Sequence, residues 1–183
     1  IKPSFNLFTG TPNSGKSSLT LEIALRTARE HNFSYLIFSP ESSLAVNLKR
    51  LIEKYCQKPF DIMFHNRADE TEVLEAIEFI HEHFLFIDKK EDSPDIDWIL
   101  ERARAVHKEF NIDGLILDPY NEINPERNNI REDEHISLLI SKIKRFNRET
   151  NTFTFIVAHP TKQIRGADGK FSVNSLYDVS GSA

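Results

Sequence analysis

The sequence has a single cysteine, Cys56, which excludes an internal disulfide framework and a cysteine-based zinc site, and agrees with a reducing compartment. Positive charge is not in excess either: 23 Lys and Arg stand against 28 Asp and Glu, a net charge of −5. No global field therefore draws in a polyanion, and any contact with nucleic acid has to be local. No apolar run approaches the roughly 20 residues a bilayer-spanning helix needs. The start IKPSFNLFTG lacks the charged, apolar and cleavage regions of a signal peptide. These absences predict a soluble, intracellular protein with no membrane partner. The chain opens without Met and closes on GSA directly after a polar turn, which predicts a piece of a longer protein. What is present, 183 residues of which 39% are hydrophobic, supports one core of ordinary size and argues against two full domains.

Phe5 to Phe8 is a short β-rich run that stops at GTPNSGKSS, which predicts a strand entering a tight loop. From Ser17 to Glu30, Leu21, Ala24, Leu25 and Ala28 recur at helical spacing, and Tyr35 to Phe38 reads as the next strand. A helix carrying Leu44, Leu48, Leu51, Ile52 and Tyr55 comes next, ended by Gln57-Lys58-Pro59, and Asp61 to Phe64 is a short strand candidate. A helix from about Thr71 to Glu82 then leads straight into a strand at Phe84 to Ile87. Pro94 suits the first turn of a helix with Ile99, Ala103, Val106 and Phe110 on one face. Leu115 to Leu117 suits a parallel strand buried on both faces. The polar stretch from Tyr120 to His135 predicts a surface loop before a helix bearing Ile136, Leu139, Ile140 and Ile143, and Thr152 to Val157 reads as a further strand. No period marks the tail from His159 to Ala183, and no internal repeat or coiled coil appears. Strands alternating with helices predict an α/β domain with a mainly parallel sheet flanked by helices.

Gly10-Thr11-Pro12-Asn13-Ser14-Gly15-Lys16-Ser17 matches G-x-x-x-x-G-K-[ST] at every fixed position, with a strand before it and a helix, continuing through Ser18, after it. Glycines allow close backbone approach, successive N–H groups surround phosphates, and a helix start adds positive potential. Lys16 is expected to reach the β and γ phosphates of a nucleotide triphosphate and Ser17 to ligate Mg²⁺. A glycine-rich turn with a surface lysine and a helix cap at Ser17 is the competing explanation.

Asp118 ends the hydrophobic run LILD, at the edge where open α/β sheets present their ligands. It can orient Ser17 or accept from Mg²⁺-bound water, and it can also simply form a turn before Pro119. Because proline is the next residue, the adjacent Asp-Glu pair is absent and a hydrolase needs its base elsewhere. Glu41, just beyond the second strand in FSPES, can accept a proton from the attacking water, or it can sit in the first turn of the next helix. Glu122 is the poorer base candidate. His159 directly follows TFIVA, where an imidazole can donate to a phosphate oxygen or serve as an ordinary turn residue. The other six histidines have no convincing zinc spacing; His81 and His83 do not share a helical face. Thr161 to Lys170 sets Lys162, Arg165 and Lys170 against Asp168, a local +2. Tyr120 to His135 carries a local −3, which weakens any general phosphate role there.

Together the phosphate loop, FSPES, LILDPYNEI, VAHPTKQ and LYDVSGSA closely resemble the helicase domain of the bacteriophage T7 primase-helicase and mitochondrial Twinkle group. That group lies within the DnaB-like replicative helicases, and the resemblance covers nearly the whole chain. It implies a RecA-like P-loop NTPase core occupying residues 1–183 as one domain, incomplete at its C-terminus. It implies ATP and Mg²⁺ as cofactors, with Glu41 as catalytic glutamate, Asp118 as the magnesium-linked aspartate and His159 as the polar switch. The loop after the switch, with Lys162, Gln163, Arg165 and Lys170, would contact single-stranded DNA. Homohexameric rings, ATP at subunit boundaries, an arginine offered by the neighbouring subunit and an attached or associated primase are further implications. So are 5′-to-3′ movement and a cytoplasmic place, in a bacterial nucleoid or phage replication machinery. Two other readings stay open: a RecA-like recombination or regulatory ATPase without helicase activity, and a small-molecule P-loop kinase, which would need an acceptor pocket and a cationic lid.

Overall fold

The computed structural model describes residues 2–11, 13–88, 94–123 and 132–158. Among the described residues five strands form one fully parallel sheet in the order β1-β5-β4-β2-β3, where β1 is Ser4–Thr9, β2 Tyr35–Phe38, β3 Phe84–Ile87, β4 Gly114–Leu117 and β5 Phe153–Ala158. The described helices that connect them are α1 Lys16–His31, α2 Leu44–Cys56, α3 Glu70–His83, α4 Ile96–Phe110 and α5 Glu132–Thr150. A 3₁₀ turn spans Tyr120–Glu122.

Alternation along each strand divides the core into two layers. Tyr35, Ile37, Ile116, Phe153 and Phe155 face α1, α2 and α3, whereas Leu36, Phe38, Leu115, Leu117 and Ile156 face α4 and α5. Helix α1 buries Leu21, Ala24, Leu25 and Ala28, the stripe its spacing predicts, and Thr20 beside it. Because all strands run the same way, the chain leaves β1, β2 and β4 at one edge, and the connection from β1 passes over β5 and β4 to reach β2. That crossover creates the crevice in which open α/β sheets bind ligands.

A buried polar clamp fixes the strand that feeds this crevice. Asn147 of α5, 1% exposed, donates through Nδ2 to the Ser4 carbonyl at 2.8 Å. Its Oδ1 accepts from Thr152 Oγ1 at 3.2 Å and Thr154 Oγ1 at 2.8 Å, so the amide oxygen and the two buried threonine hydroxyls are paired with one another.

Four local expectations are corrected. Asp61 to Phe64 is a turn rather than a strand: the Phe64 amide bonds back to the Asp61 carbonyl at 3.2 Å, and Ile62 and Met63 are 79% and 81% exposed, with no neighbouring strand among the described residues to cover them. Pro94 lies outside α4, because Asp95 is the N-cap and accepts from the Trp98 amide at 2.8 Å. Helix α5 begins at Glu132, inside the polar stretch read as loop up to His135. The last strand is displaced by one residue, running Phe153–Ala158. Among the described residues no helix is long and apolar enough to cross a membrane.

Gly114 shows how tightly the layer under α1 is packed. A Cβ there would lie 2.7 Å from both Phe153 Cε2 and Tyr35 Cε1, inside an aromatic group in which Tyr35 stacks on Phe84 and meets Phe153 edge-on. Gly114→Ala is therefore expected to destabilise the fold by about 1–3 kcal/mol, the usual cost of overpacking a filled core. Denaturant unfolding monitored by circular dichroism checks this, and an unchanged midpoint would mean that the rings have room to move.

Candidate functional site

The site grows out of the β1-to-α1 connection. Gly15 is the N-cap of α1 with φ 83°, in the left-handed region that a side chain resists, and Asn13 also sits there at φ 59°. As a cap without a side chain, Gly15 offers no side-chain acceptor to the first turn. The first intrahelical donor is the Leu19 amide, which bonds the Gly15 carbonyl at 2.8 Å. The helix amides before it have no intrahelical acceptor and remain available to an anion, with the helix dipole behind them. Ser17 lies two positions inside the helix, so the structure gives the cap to Gly15.

Lys16 is only 8% exposed, and its Nζ donates to the carbonyls of Gly10 at 2.9 Å and Thr11 at 2.8 Å. Burial pushes its pKa below the ordinary lysine value, opposed by the negative charges of Asp118 and Glu41. Ser17 Oγ donates to Asp118 Oδ1 at 3.0 Å, joining the start of α1 to the end of β4. Asp118 is held there by its own amide, which donates to the Phe38 carbonyl at 3.0 Å and so extends the β4–β2 ladder one rung beyond the strands.

A cavity of about 370 Å³ opens at this edge, lined by Lys16 and Ser17 from α1, Asp118 from the end of β4, and Ser39, Glu41 and Arg50 from the exit of β2 and from α2. Asn13, Ser14, Gly15 and Ser18 also line it, so the loop residues, Asp118 and Glu41 converge on one space. Glu41 lies two residues before Ser43, which is the actual N-cap of α2 and accepts from the Val46 amide at 3.3 Å. Helix α2 has no acid in its first turn, so Glu41 is not a helix-start residue. Glu122 is exposed on the 3₁₀ turn and does not line the cavity. His83 is buried with Nδ1 at 3.0 Å from the Phe33 carbonyl, whereas His81 is exposed, so the two rings have different surroundings. Pro12, His159, Lys162, Gln163, Arg165 and Lys170 lie outside the described residues. Arg50 belongs to no motif of the sequence, although its spacing of three from Asn47 places both on one face of α2.

These residues fit a magnesium nucleotide. Among the described residues no group of three or more His, Cys, Asp or Glu could hold a metal ion by itself. A cation here would rest on the Ser17 hydroxyl, Asp118 and the ligand's own phosphate oxygens, the sparse protein donor set that Mg²⁺ accepts in phosphate sites.

Sheet, crossover and phosphate loop define a RecA-like P-loop fold. Solved structures agree: the "ATPase Domain of G40P" superposes with a TM-score of 0.80 at 19% identity, covering 100% of this chain and 66% of that one. "The Structure Of A DnaB-Like Replicative Helicase And Its Interactions With Primase" gives a TM-score of 0.77 at 20% identity over 98% of this chain and 45% of that one. The model of the DnaB-like helicase C terminal domain matches residues 2–169, and the chain belongs to that family. It is also 35% identical over 181 residues to the Twinkle homolog protein, chloroplastic/mitochondrial, of Arabidopsis thaliana; the match takes in 96% of this chain and 25% of that protein, so the chain spans about a quarter of the relative's length.

Proposed function

We propose that the chain is the motor domain of an ATP-dependent replicative DNA helicase, coupling ATP hydrolysis to movement along single-stranded DNA and to duplex unwinding. The observation that carries this reading is the convergence of the phosphate loop, the Ser17–Asp118 pair and Glu41 on one cavity in a chain of the DnaB-like family. Lys16 would exchange the Gly10 and Thr11 carbonyls for phosphate oxygens, while the amides at the start of α1 cradle the rest of the triphosphate. Ser17 and Asp118 would hold Mg²⁺, which when bound neutralises charge on the β and γ oxygens. Glu41 orients the attacking water and takes its proton.

The DNA end of the coupling falls to His159, Lys162, Gln163, Arg165 and Lys170. Strand β5 ends at Ala158, in register with Thr9, the residue before the phosphate loop. The chain thus leaves β5 beside the point where it leaves β1 for the phosphate loop, which supports a switch role for His159. The proposal extends to a homohexameric ring around one DNA strand and to an attached or associated primase, within a cellular or phage replication machinery.

The test uses the full chain and single-stranded DNA of unrelated sequences. Lys162→Ala is expected to weaken binding alike on all of them and to lower the slope of log affinity against log salt by about one, the signature of one lost phosphate contact. His159→Ala is expected to keep nucleotide affinity while losing stimulation of the ATPase by DNA. Normal salt dependence and full stimulation in both variants would reject the coupling, and a wild-type ATPase indifferent to DNA would favour a regulatory ATPase.

A further inference from the structure

The nucleotide cavity contains a second cation that the phosphate-loop motif does not account for. Arg50 on α2 and Asn47, three residues earlier, both reach Ser42, the residue after Glu41. Asn47 Nδ2 donates to the Ser42 carbonyl at 3.3 Å, and Arg50 Nη1 donates to the Ser42 hydroxyl at 3.2 Å. Asn47 is buried and anchors the backbone, whereas Arg50 is exposed and lines the cavity. The two grips therefore differ in kind, one structural and one facing the space a ligand would fill.

Charge sharpens the difference. Among the described residues, the ionised side chains lining the cavity are Lys16, Arg50, Glu41 and Asp118. With Arg50 the lining is balanced; without it the lining is acidic by one charge, which opposes an anionic ligand. A guanidinium has five N–H donors in a fixed fork suited to phosphate, and a neutral serine hydroxyl is a weak partner for it by comparison. It is tied to Ser42, next to Glu41, and shares one cavity with Glu41 and Lys16, the residues that the proposed function sets at the terminal phosphate.

Resting on the reading of the cavity as an ATP site, we propose that Arg50 is a phosphate-contacting residue supplied by the same subunit. It exchanges the Ser42 hydroxyl for the terminal phosphate, and so separates triphosphate from diphosphate. When that phosphate leaves, the guanidinium returns to Ser42, next to the residue that positions the water.

Equilibrium binding of a non-hydrolysable ATP analogue and of ADP, each with Mg²⁺, tests this on the full chain. Arg50→Ala is expected to weaken the analogue at least about tenfold, the value of a charge-assisted hydrogen bond, with ADP held within about twofold. Arg50→Lys should recover part of the loss, and Ser42→Ala should keep the wild-type ratio of the two affinities. Equal weakening of ADP and analogue by Arg50→Ala, or the same change of ratio in Ser42→Ala, would overturn the proposal and leave Arg50 as a brace for the Glu41 segment. A wild-type chain that binds neither nucleotide would instead sink the ATP-site reading on which the proposal stands.

Discussion

Glu41→Gln is expected to reduce ATP turnover by about 10²- to 10⁴-fold, the usual contribution of a positioned general base, while nucleotide affinity changes little. Glutamine keeps the size and hydrogen-bonding reach of the side chain and loses only its charge and its ability to take a proton. The structure gives little reason for the variant to misfold. Glu41 is exposed, Ser43 rather than Glu41 caps α2, and the backbone beyond it is held through Ser42 by Asn47 and Arg50. One electrostatic side effect is expected: Glu41 is among the charges that raise the Lys16 pKa against burial, so the variant leaves that lysine easier to deprotonate. Single-turnover hydrolysis measured beside equilibrium binding separates the two effects. Unchanged turnover would remove Glu41 as base, and loss of binding with normal turnover of the bound fraction would assign it to the binding of nucleotide.

The residues of this site were legible in the sequence to the extent that their positions are set by the strands. Gly10 to Ser17 and Asp118 directly follow apolar runs, and Glu41 stands three residues after one, so a parallel sheet carries all of them to one edge whatever its strand order. The choice between competing local roles was not legible, because it turns on single hydrogen bonds. Ser43 and Glu41 are both plausible helix-start residues by type, and the Ser43 bond to the Val46 amide decides between them. Arg50 was not legible for a related reason: a basic residue on a helix reads as solvated until the fold of the Glu41 segment brings a cavity to it. Asp61 to Phe64 misled through its apolar content, since Ile62, Met63 and Phe64 look like strand residues but find neither a ladder nor a covering layer among the described residues. Sheet order was equally out of reach, because the pairing of β4 with both β2 and β5 depends on contacts distant in sequence, such as the row from Phe153 through Gly114 to Tyr35.

Lys16→Ala is expected to lower kcat/KM for ATP by at least about 10²-fold, comparable to removing a preorganised group that stabilises transition-state charge. Unlike Glu41→Gln, it should also weaken binding of a non-hydrolysable analogue, because the ammonium would face the phosphates in the ground state as well. The free site already shows what the lysine has to give up. Its Nζ is held by two neutral carbonyls in a buried position, so a triphosphate that replaces them restores a full opposite charge. This has a pH signature whose sign can be worked out. Burial lowers the Lys16 pKa in the free protein, and bound phosphate raises it again by favouring the ammonium. The contribution of Lys16 to affinity is then fully present below the free-site pKa and is lost as pH rises from there through the higher pKa of the bound state, with a proton taken up on binding between the two. Calorimetry in buffers of different ionisation enthalpy, run from about pH 7 towards the ordinary lysine range near pH 10, should show growing proton uptake in the wild type and none of this component in Lys16→Ala. Equal uptake in both proteins would assign the titration to another group, and equal analogue affinity would place Lys16 outside the phosphate site.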